Sequence, residues 1–421
     1  MALNKNYLIP IFLIIALHSI LSVFHSSLTF DWTFQDWMIN YEGGFVRRGL
    51  SGEVITTISN FFFYEKKQFY HGIQIHLVYF FIVSIFCFFY YLFLYLFFKN
   101  EKLNLEKLFI ILSPLSLPFL IYNPGAAGRK EILLFILFIS FVYFIKYLKK
   151  KELVLITTTI LFVPLFLIHE GLIFFISSFL ILYILEIKPE NKKIVIPIVL
   201  FAILLSITIF VLSVIFKGNS YQVEQICSSL FSYSIKDCSG LSAIGMLSNT
   251  HTLSSEFEVL WARVFKDGYI FYYPFFASIS FFALIKYSSK YYFNVSIKDK
   301  VYSFNFIIIA IIYFLNSLPL YIFTHDWGRW LNISYILLMI TFFHLKKINK
   351  IYLKNTEVLK TSQSDYSILK KIFFFVVLIF YGFGINVSYF GGYTNWIRNY
   401  LMIDDQLRFG MNALKSLTYF F

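Results

Sequence analysis

Four short polar stretches interrupt an otherwise apolar chain, and each mixes residue types that handle anions and protons. The first, "FDWTFQDWMINYEGGFVRRGL", carries Asp31, Asp36, Glu42, Arg47 and Arg48, with Gly43 and Gly44 between the acids and the arginines. The second, "YNPGAAGRKE", sets Arg129, Lys130 and Glu131 after a proline–glycine turn. The third, "LIHEGL", holds His169 and Glu170, and the fourth, "FTHDWGRWL", holds His325, Asp326 and Arg329. A guanidinium offers a rigid fork of donors that grips a carboxylate or phosphate through two bonds, whereas an ammonium offers a point charge. A carboxylate or an imidazole can take a proton from a hydroxyl. Glycines let the backbone turn sharply or approach a ligand closely. The residue types therefore predict an anion site with a proton acceptor beside it.

Each cluster alone has a plainer explanation, since charges at the ends of membrane spans anchor them and tryptophans there form the interfacial belt. A lone His-Glu turn is often a structural hydrogen-bonding pair. What favours a shared site is that all four clusters fall on one side of the membrane.

That side follows from the elements that must carry the clusters. The 421 residues are 59% hydrophobic and only 14% charged, well below the ~25% of soluble domains. Apolar runs such as "KIVIPIVLFAILLSITIFVLSVIF" are long enough to cross a hydrocarbon core about 30 Å thick. The expected fold is all-α and polytopic, with spans at 7–24, 72–98, 107–122, 131–147, 153–168, 171–187, 194–216, 269–286, 302–323, 331–345 and 372–390. The first run lacks a small-residue cleavage site and is expected to stay as a span. With the N-terminus in the cytoplasm, the inward segments at the N-terminus, 99–107, 146–152, 188–193, 286–300 and 346–371 contain lysine and no arginine. Short lysine-rich inward loops are what fixes orientation, so the net charge of +13 does not point to nucleic acid. All seven arginines (Arg47, Arg48, Arg129, Arg263, Arg329, Arg398 and Arg408) fall outside. Orientation accepts either basic residue, which leaves anion recognition as the reason for arginine on that face.

Two outward loops are long. Residues 25–71 contain "GLSGEVITTISNFFFY", which reads as an amphipathic interfacial helix, and 217–268 read as a small lid. The C-terminal 391–421 is also expected outside, as an interfacial segment. Cys227 and Cys238 share the second loop, where ten intervening residues allow but do not dictate a disulfide. The inward loop 346–371 reads as a connector. No internal repeat and no inverted pair of broken helices is visible. No glycine-rich loop leads into Lys-Ser or Lys-Thr, which argues against nucleotide hydrolysis. No cofactor is expected, and the histidine spacing gives a divalent metal no support. "GLSGE" lacks the strand–turn–helix setting of a nucleophile elbow.

A first outward loop after span one, bearing acidic residues and an interfacial helix, resembles the GT-C class of membrane glycosyltransferases. The whole-chain pattern is also similar to bacterial O-antigen and capsule repeat-unit polymerases of the Wzy type, with about eleven spans, a very hydrophobic, lysine-rich composition, long outward loops and outward arginines. The departures are specific. No arginine in Arg47, Arg129, Arg263, Arg329, Arg398 or Arg408 has glycine eleven positions on, and the first loop has no Asp-Asp or Asp-Glu pair. The resemblance implies a GT-C-like layout with the C-terminus outside, located in the bacterial cytoplasmic (inner) membrane. It also implies glycosyl transfer from a polyprenyl phosphate or pyrophosphate on the periplasmic or exterior face. Partners would be the polyprenyl-linked glycan, the bilayer and other envelope-polysaccharide assembly proteins. Arg47, Arg48, Arg129, Lys130 and Arg329 would hold the phosphate, with Glu42, Gly43, Gly44 and His169 in support. Asp36, placed in the loop where such enzymes carry their base, would take the acceptor proton. Glu170 and the His325–Asp326 pair follow, at tight turns where partial desolvation is expected to raise a carboxylate's pKa. A single-sugar transferase, a lipid-linked oligosaccharide transporter and a non-catalytic scaffold remain open alternatives.

Overall fold

Apolar runs in hydrocarbon fold as helices because no water is present to satisfy backbone groups, and a helix satisfies them within one segment. A computed structural model describes residues 8–63, 73–101, 104–186, 192–231, 238, 242–248, 253–297, 300–324, 326–353, 368–383, 385 and 387. In chain order the helices are α1 (Leu8–Thr29), α2 (Trp32–Met38), α3 (Gly49–Phe63), α4 (Ile73–Phe98), α5 (Leu105–Ile111), α6 (Leu117–Tyr122), α7 (Pro124–Ala127), α8 (Glu131–Tyr147) and α9 (Lys151–Ile168). They continue with α10 (Ile176–Glu186), α11 (Lys192–Ile215), α12 (Ser220–Phe231), α13 (Leu253–Trp261), α14 (Tyr269–Ser288), α15 (Ile307–Phe323), α16 (Trp327–Lys347) and α17 (Ile368–Phe383). Among the described residues, five helical stretches are long and apolar enough to cross a membrane: Ile9–Thr29, Ile73–Phe98, Lys151–Ile168, Ile196–Ile215 and Tyr269–Ser288. α16 runs through the centre and is buried from Gly328 to Leu345, packed by α8, α14 and α15. α11 instead exposes Ile196, Leu200, Leu204, Ile207 and Val214, an apolar face suited to lipid.

Several sequence expectations need correction. The expected single span at 107–122 is broken into α5 and α6, with the short α7 following. Pro114 cannot donate to a helix and Pro118 sits in the first turn of α6, so the backbone leaves the helix between them. Its freed carbonyls are met by α16, where Asn332 Nδ2 donates to Leu115 O at 2.9 Å and Tyr335 Oη to Ile110 O at 2.8 Å. Irregular backbone is tolerated in a membrane only where protein or a cavity satisfies it. The expected span at 171–187 begins with a 3-10 turn, Glu170–Phe175. The first helix continues to Thr29, so the first loop starts later than residue 25. The all-α expectation also needs a qualification. β1 (Tyr291–Ile297) pairs antiparallel with β2 (Lys300–Asn305) and with β3 (Ile351–Leu353), so the expected span 302–323 opens with a strand. Aromatic and β-branched residues in "YYFNVSI" suit a pleated surface better than a helix. The predicted connector 346–371 thus supplies a strand, held by Tyr352 Oη to Asn294 Oδ1 at 2.7 Å. The predicted C-terminal segment 391–421 lies outside the described residues.

The two ends of the bundle differ. At one end lie His169, after α9, and Arg329, in the first turn of α16. At the other, Lys151 Nζ meets Glu186 Oε2 at 2.5 Å, and His344 Nε2 contacts Glu186 Oε1. Fifteen residues of α16 at 1.5 Å each put His344 roughly 22 Å from Arg329 along the axis. That second end thus holds a buried carboxylate and imidazole beside its lysine.

Candidate functional site

The first loop is built by short-range capping. Asp31 caps α2, accepting from Phe34 N at 2.9 Å and from Ser26 Oγ at 2.5 Å. α2 is then pinned by Trp37 Nε1 donating to Gly128 O at 2.8 Å, which sets Asp36 inside the protein at 2% exposure. The chain reverses through Gly44 at φ 95°, and Arg48 itself lies in the left-handed region at φ 65°. A non-glycine residue held there costs about 1–2 kcal/mol, and the conformation delivers the Arg48 side chain to its partners. Gly52 donates to Ile39 O at 3.0 Å, and its missing Cβ lets the first turns of α3 close on the end of α2.

These elements join the four sequence clusters into one network. Arg48 grips Glu170 with Nε to Oε2 at 2.7 Å and Nη2 to Oε1 at 2.7 Å, and reaches Asp36 Oδ1 with Nη1 at 3.4 Å. Arg47 Nη1 lies 3.4 Å from Glu170 Oε1. Lys130 Nζ donates to the Asp36 carbonyl at 2.7 Å and lies 3.5 Å from its carboxylate. Arg329 Nη1 meets Asp326 Oδ2 at 3.1 Å, Nη2 contacts Glu131 Oε1, and the guanidinium stacks 4.6 Å over the Trp330 ring. Nη2 also lies 2.6 Å from His169 Nε2, while Gly171 N is 3.1 Å from His169 Nδ1. Since a neutral imidazole accepts at one nitrogen only, one of these two contacts is not a hydrogen bond. Arg129, Glu131, Arg329 and Asn332 line one small cavity with Tyr90 and apolar walls.

Not every expected residue joins. His325 lies outside the described residues. Glu42 is exposed and forms no ion pair among the described residues. Gly43 packs against α12, where a Cβ would come within 2.7 Å of Gln222 Cα, so its missing side chain serves the contact between loops. Arg263 pairs with Asp267 four residues on, at 3.0 Å, apart from the network. Glu131, Trp330 and Asn332 join the site beyond the residues expected to hold phosphate or take a proton. Glu131 was legible as an acid opening an apolar run, but its partner on α16 was not.

Electrostatics overturn one expectation. Burial pushes the Asp36 carboxyl up, yet Lys130 and Arg48 outweigh it and hold Asp36 well below the usual carboxylate range. Burial likewise raises Glu170, and Arg48 with Arg47 more than cancels it. Neither carboxylate is primed as a base by desolvation in this state. Burial lowers Lys130 to about 8, opposed by Asp36. Burial, then Arg48, lowers His169 to about 3, so its ring is neutral. Among the described residues, five cations (Arg47, Arg48, Arg129, Lys130 and Arg329) face four carboxylates (Asp36, Glu131, Glu170 and Asp326). Charges act more strongly in this buried setting than in water.

α12 and the residue after α11 contact the first loop. Asn40 Nδ2 donates to Ser229 Oγ at 3.0 Å, Gln222 Nε2 to Phe45 O at 3.0 Å, and Arg47 N to Phe216 O at 2.9 Å. Cys227 of α12 is disulfide-bonded to Cys238. No group of three or more His, Cys, Asp or Glu side chains is arranged to hold a metal among the described residues.

A family model described as uncharacterised membrane protein Rv1490 matches residues 7–252, a stretch that includes Asp36, the arginine pair, Arg129, Lys130, His169 and Glu170. No curated protein matches the chain, and no solved structure does. With more than half its length matched and five helices able to cross a bilayer, the chain is a helical membrane protein and belongs to the family of uncharacterised membrane protein Rv1490.

Proposed function

We propose that the protein is a membrane glycosyltransferase of the polymerase type. It would join polyprenyl-phosphate- or pyrophosphate-linked sugars or repeat units into a surface polysaccharide, as O-antigen or capsule. The observation that carries this reading is Asp36. It is a buried carboxylate on a short helix directly after the first span, held between Lys130 and Arg48 with a second arginine beside them. A glycosyl phosphate needs cations to bear its leaving group and a base for the acceptor hydroxyl. In the step proposed, the bond from the sugar's anomeric carbon to the phosphate oxygen breaks and the acceptor oxygen bonds that carbon. The phosphate leaves on the arginines and Lys130, and the acceptor proton goes to Asp36, with Glu170 as the next candidate. The reading also places eleven crossings in the bacterial inner membrane, the N-terminus in the cytoplasm, and the site facing the periplasm or exterior.

A transporter of lipid-linked oligosaccharide is the second reading, favoured by the broken crossing α5–α6–α7 and the cavity beside it. The deciding experiment uses purified protein in liposomes with a polyprenyl-diphosphate oligosaccharide. Lengthening of the glycan supports the transferase, and movement of unaltered substrate across the bilayer supports the transporter. In the source bacterium, deletion should abolish the long-chain glycan ladder and leave one repeat unit. A normal ladder in the deletion strain would sink the proposal.

A further inference from the structure

We propose that the Glu170 carboxylate is an internal stand-in for the oxyanion this site binds, and that the incoming anion takes its place between Arg47 and Arg48. The inference rests on the arginines being the phosphate-binding residues.

Three donors from two arginines converge on one carboxylate. Arg48 supplies a parallel pair at 2.7 Å and 2.7 Å, and Arg47 approaches the same Oε1 at 3.4 Å. This is the arrangement in which arginine forks take a phosphate. The arginine side chains are 32% and 24% exposed, whereas Asp36 and Lys130 beside them are 3% and 0% exposed. A solute anion can therefore reach the arginines without uncovering the Asp36–Lys130 pair. Glu170 sits on a 3-10 turn between two helices, an element with poorer hydrogen-bond geometry than either neighbour. The acid is thus carried by the part of the site better able to yield.

Displacement would have a chemical consequence. The arginines keep Glu170 ionised against burial. Once they bind another anion, burial remains and that hold is lost, so Glu170 becomes able to accept a proton. The resting contact lowers the apparent affinity by the fraction of molecules in which the fork is open. It also silences a base until the anion arrives. A purely structural ion pair, fastening the first loop to the α9–α10 turn, has neither property.

The test uses the full-length protein in detergent with inorganic sulfate, which does not titrate near neutrality, followed by calorimetry. Glu170→Gln should bind sulfate about tenfold more tightly than the wild type, and Arg47→Ala/Arg48→Ala should not bind it. At pH 5, wild-type binding should take up a proton, read from heats in buffers of different ionisation enthalpy, and Glu170→Gln should not. Unchanged or weaker sulfate binding by Glu170→Gln overturns the proposal. If that variant does not fold, sulfate binding by the wild type without proton uptake overturns it instead. An isoprenyl phosphate that outcompetes inorganic phosphate identifies a lipid-borne ligand, and equal potency a free anion; both are displacement. Displacement without glycosyl transfer would remove the transferase reading alone, and transfer without displacement would remove this inference alone.

Discussion

Arg48 and Glu170, 122 residues apart, form a two-bond fork with both N–H···O distances at 2.7 Å. The pair ties the loop after α1 to the turn between α9 and α10. Arg48 enters it from a left-handed backbone conformation at φ 65°. A backbone in that region persists only where the surroundings over-determine it.

Arg48→Ala should lower stability by about 1.5–3 kcal/mol, the range for hydrogen bonds to charged groups, and should also abolish anion binding. Arg48→Lys keeps the charge but replaces the fork by a point contact, so it should recover stability only in part. Thermal unfolding in detergent checks both variants. Wild-type stability in Arg48→Ala would mean that the fork is not a structural tie.

Asp36→Asn should destabilise the protein because it leaves the Lys130 ammonium buried without its counter-charge, and breaking a buried pair costs about 3–5 kcal/mol. Asp36→Asn/Lys130→Met removes both charges and should regain much of that loss. Under the proposed transferase reading, glycosyl transfer should stay absent in both. If the double variant recovers transfer along with stability, Asp36 is a structural partner and not the base.

Stability should fall on the acid side in two stages. The His169 ring titrates at about 3 in the folded protein against an ordinary 6.5. Between these values the unfolded chain holds the extra proton, and stability drops as pH falls. Asp36 and Glu170 lie below their ordinary 3.8 and 4.5. Their contribution is therefore present above those values and lost as pH falls further. The melting temperature should decline from about pH 6.5 and more steeply below about 4.5. His169→Gln should flatten the first stage and leave the second. An unchanged first stage in that variant would contradict a neutral buried ring.

On the alkaline side, Lys130 at about 8 should give anion binding a descending limb near that pH as its charge is lost. Lys130→Arg, which stays protonated, should move the limb upward. Sulfate titrations from pH 6.5 to 9.5 on the two proteins make the comparison. Identical limbs would assign the loss to another group.

Cys227→Ser should free α12 from residue 238 and lower stability by about 2–4 kcal/mol, typical for a disulfide. Because α12 touches the first loop through Ser229 and Gln222, hydrogen exchange of residues 39–48 should also quicken. Exchange confined to α12 would mean that the lid does not brace the loop.

Much of this was legible in local sequence. The apolar runs specify helices, and the four polar clusters mark the residues at their ends that could meet. These features depend on neighbours a few residues apart, and propensity and capping act at that range. Only tertiary packing decided that Arg48 meets Glu170 and that Arg329 meets Glu131 from another helix. It also decided that Glu186 and His344 bury one another at the opposite end. Such pairs depend on how each helix is rotated against its neighbours, and nearly uniform apolar spans like "LVYFFIVSIFCFFYYLFLYLFF" leave that rotation unspecified. The sign of the carboxylate pKa shifts escaped for a related reason. It is a difference between two large opposing effects, burial and neighbouring cations, and sequence reveals the first at a span end but not how many guanidinium and ammonium groups fold up beside it. The break at 112–116 was signalled by Pro114 and Pro118, yet it is tolerated in a membrane only because Asn332 and Tyr335 of a distant helix arrive to satisfy its carbonyls.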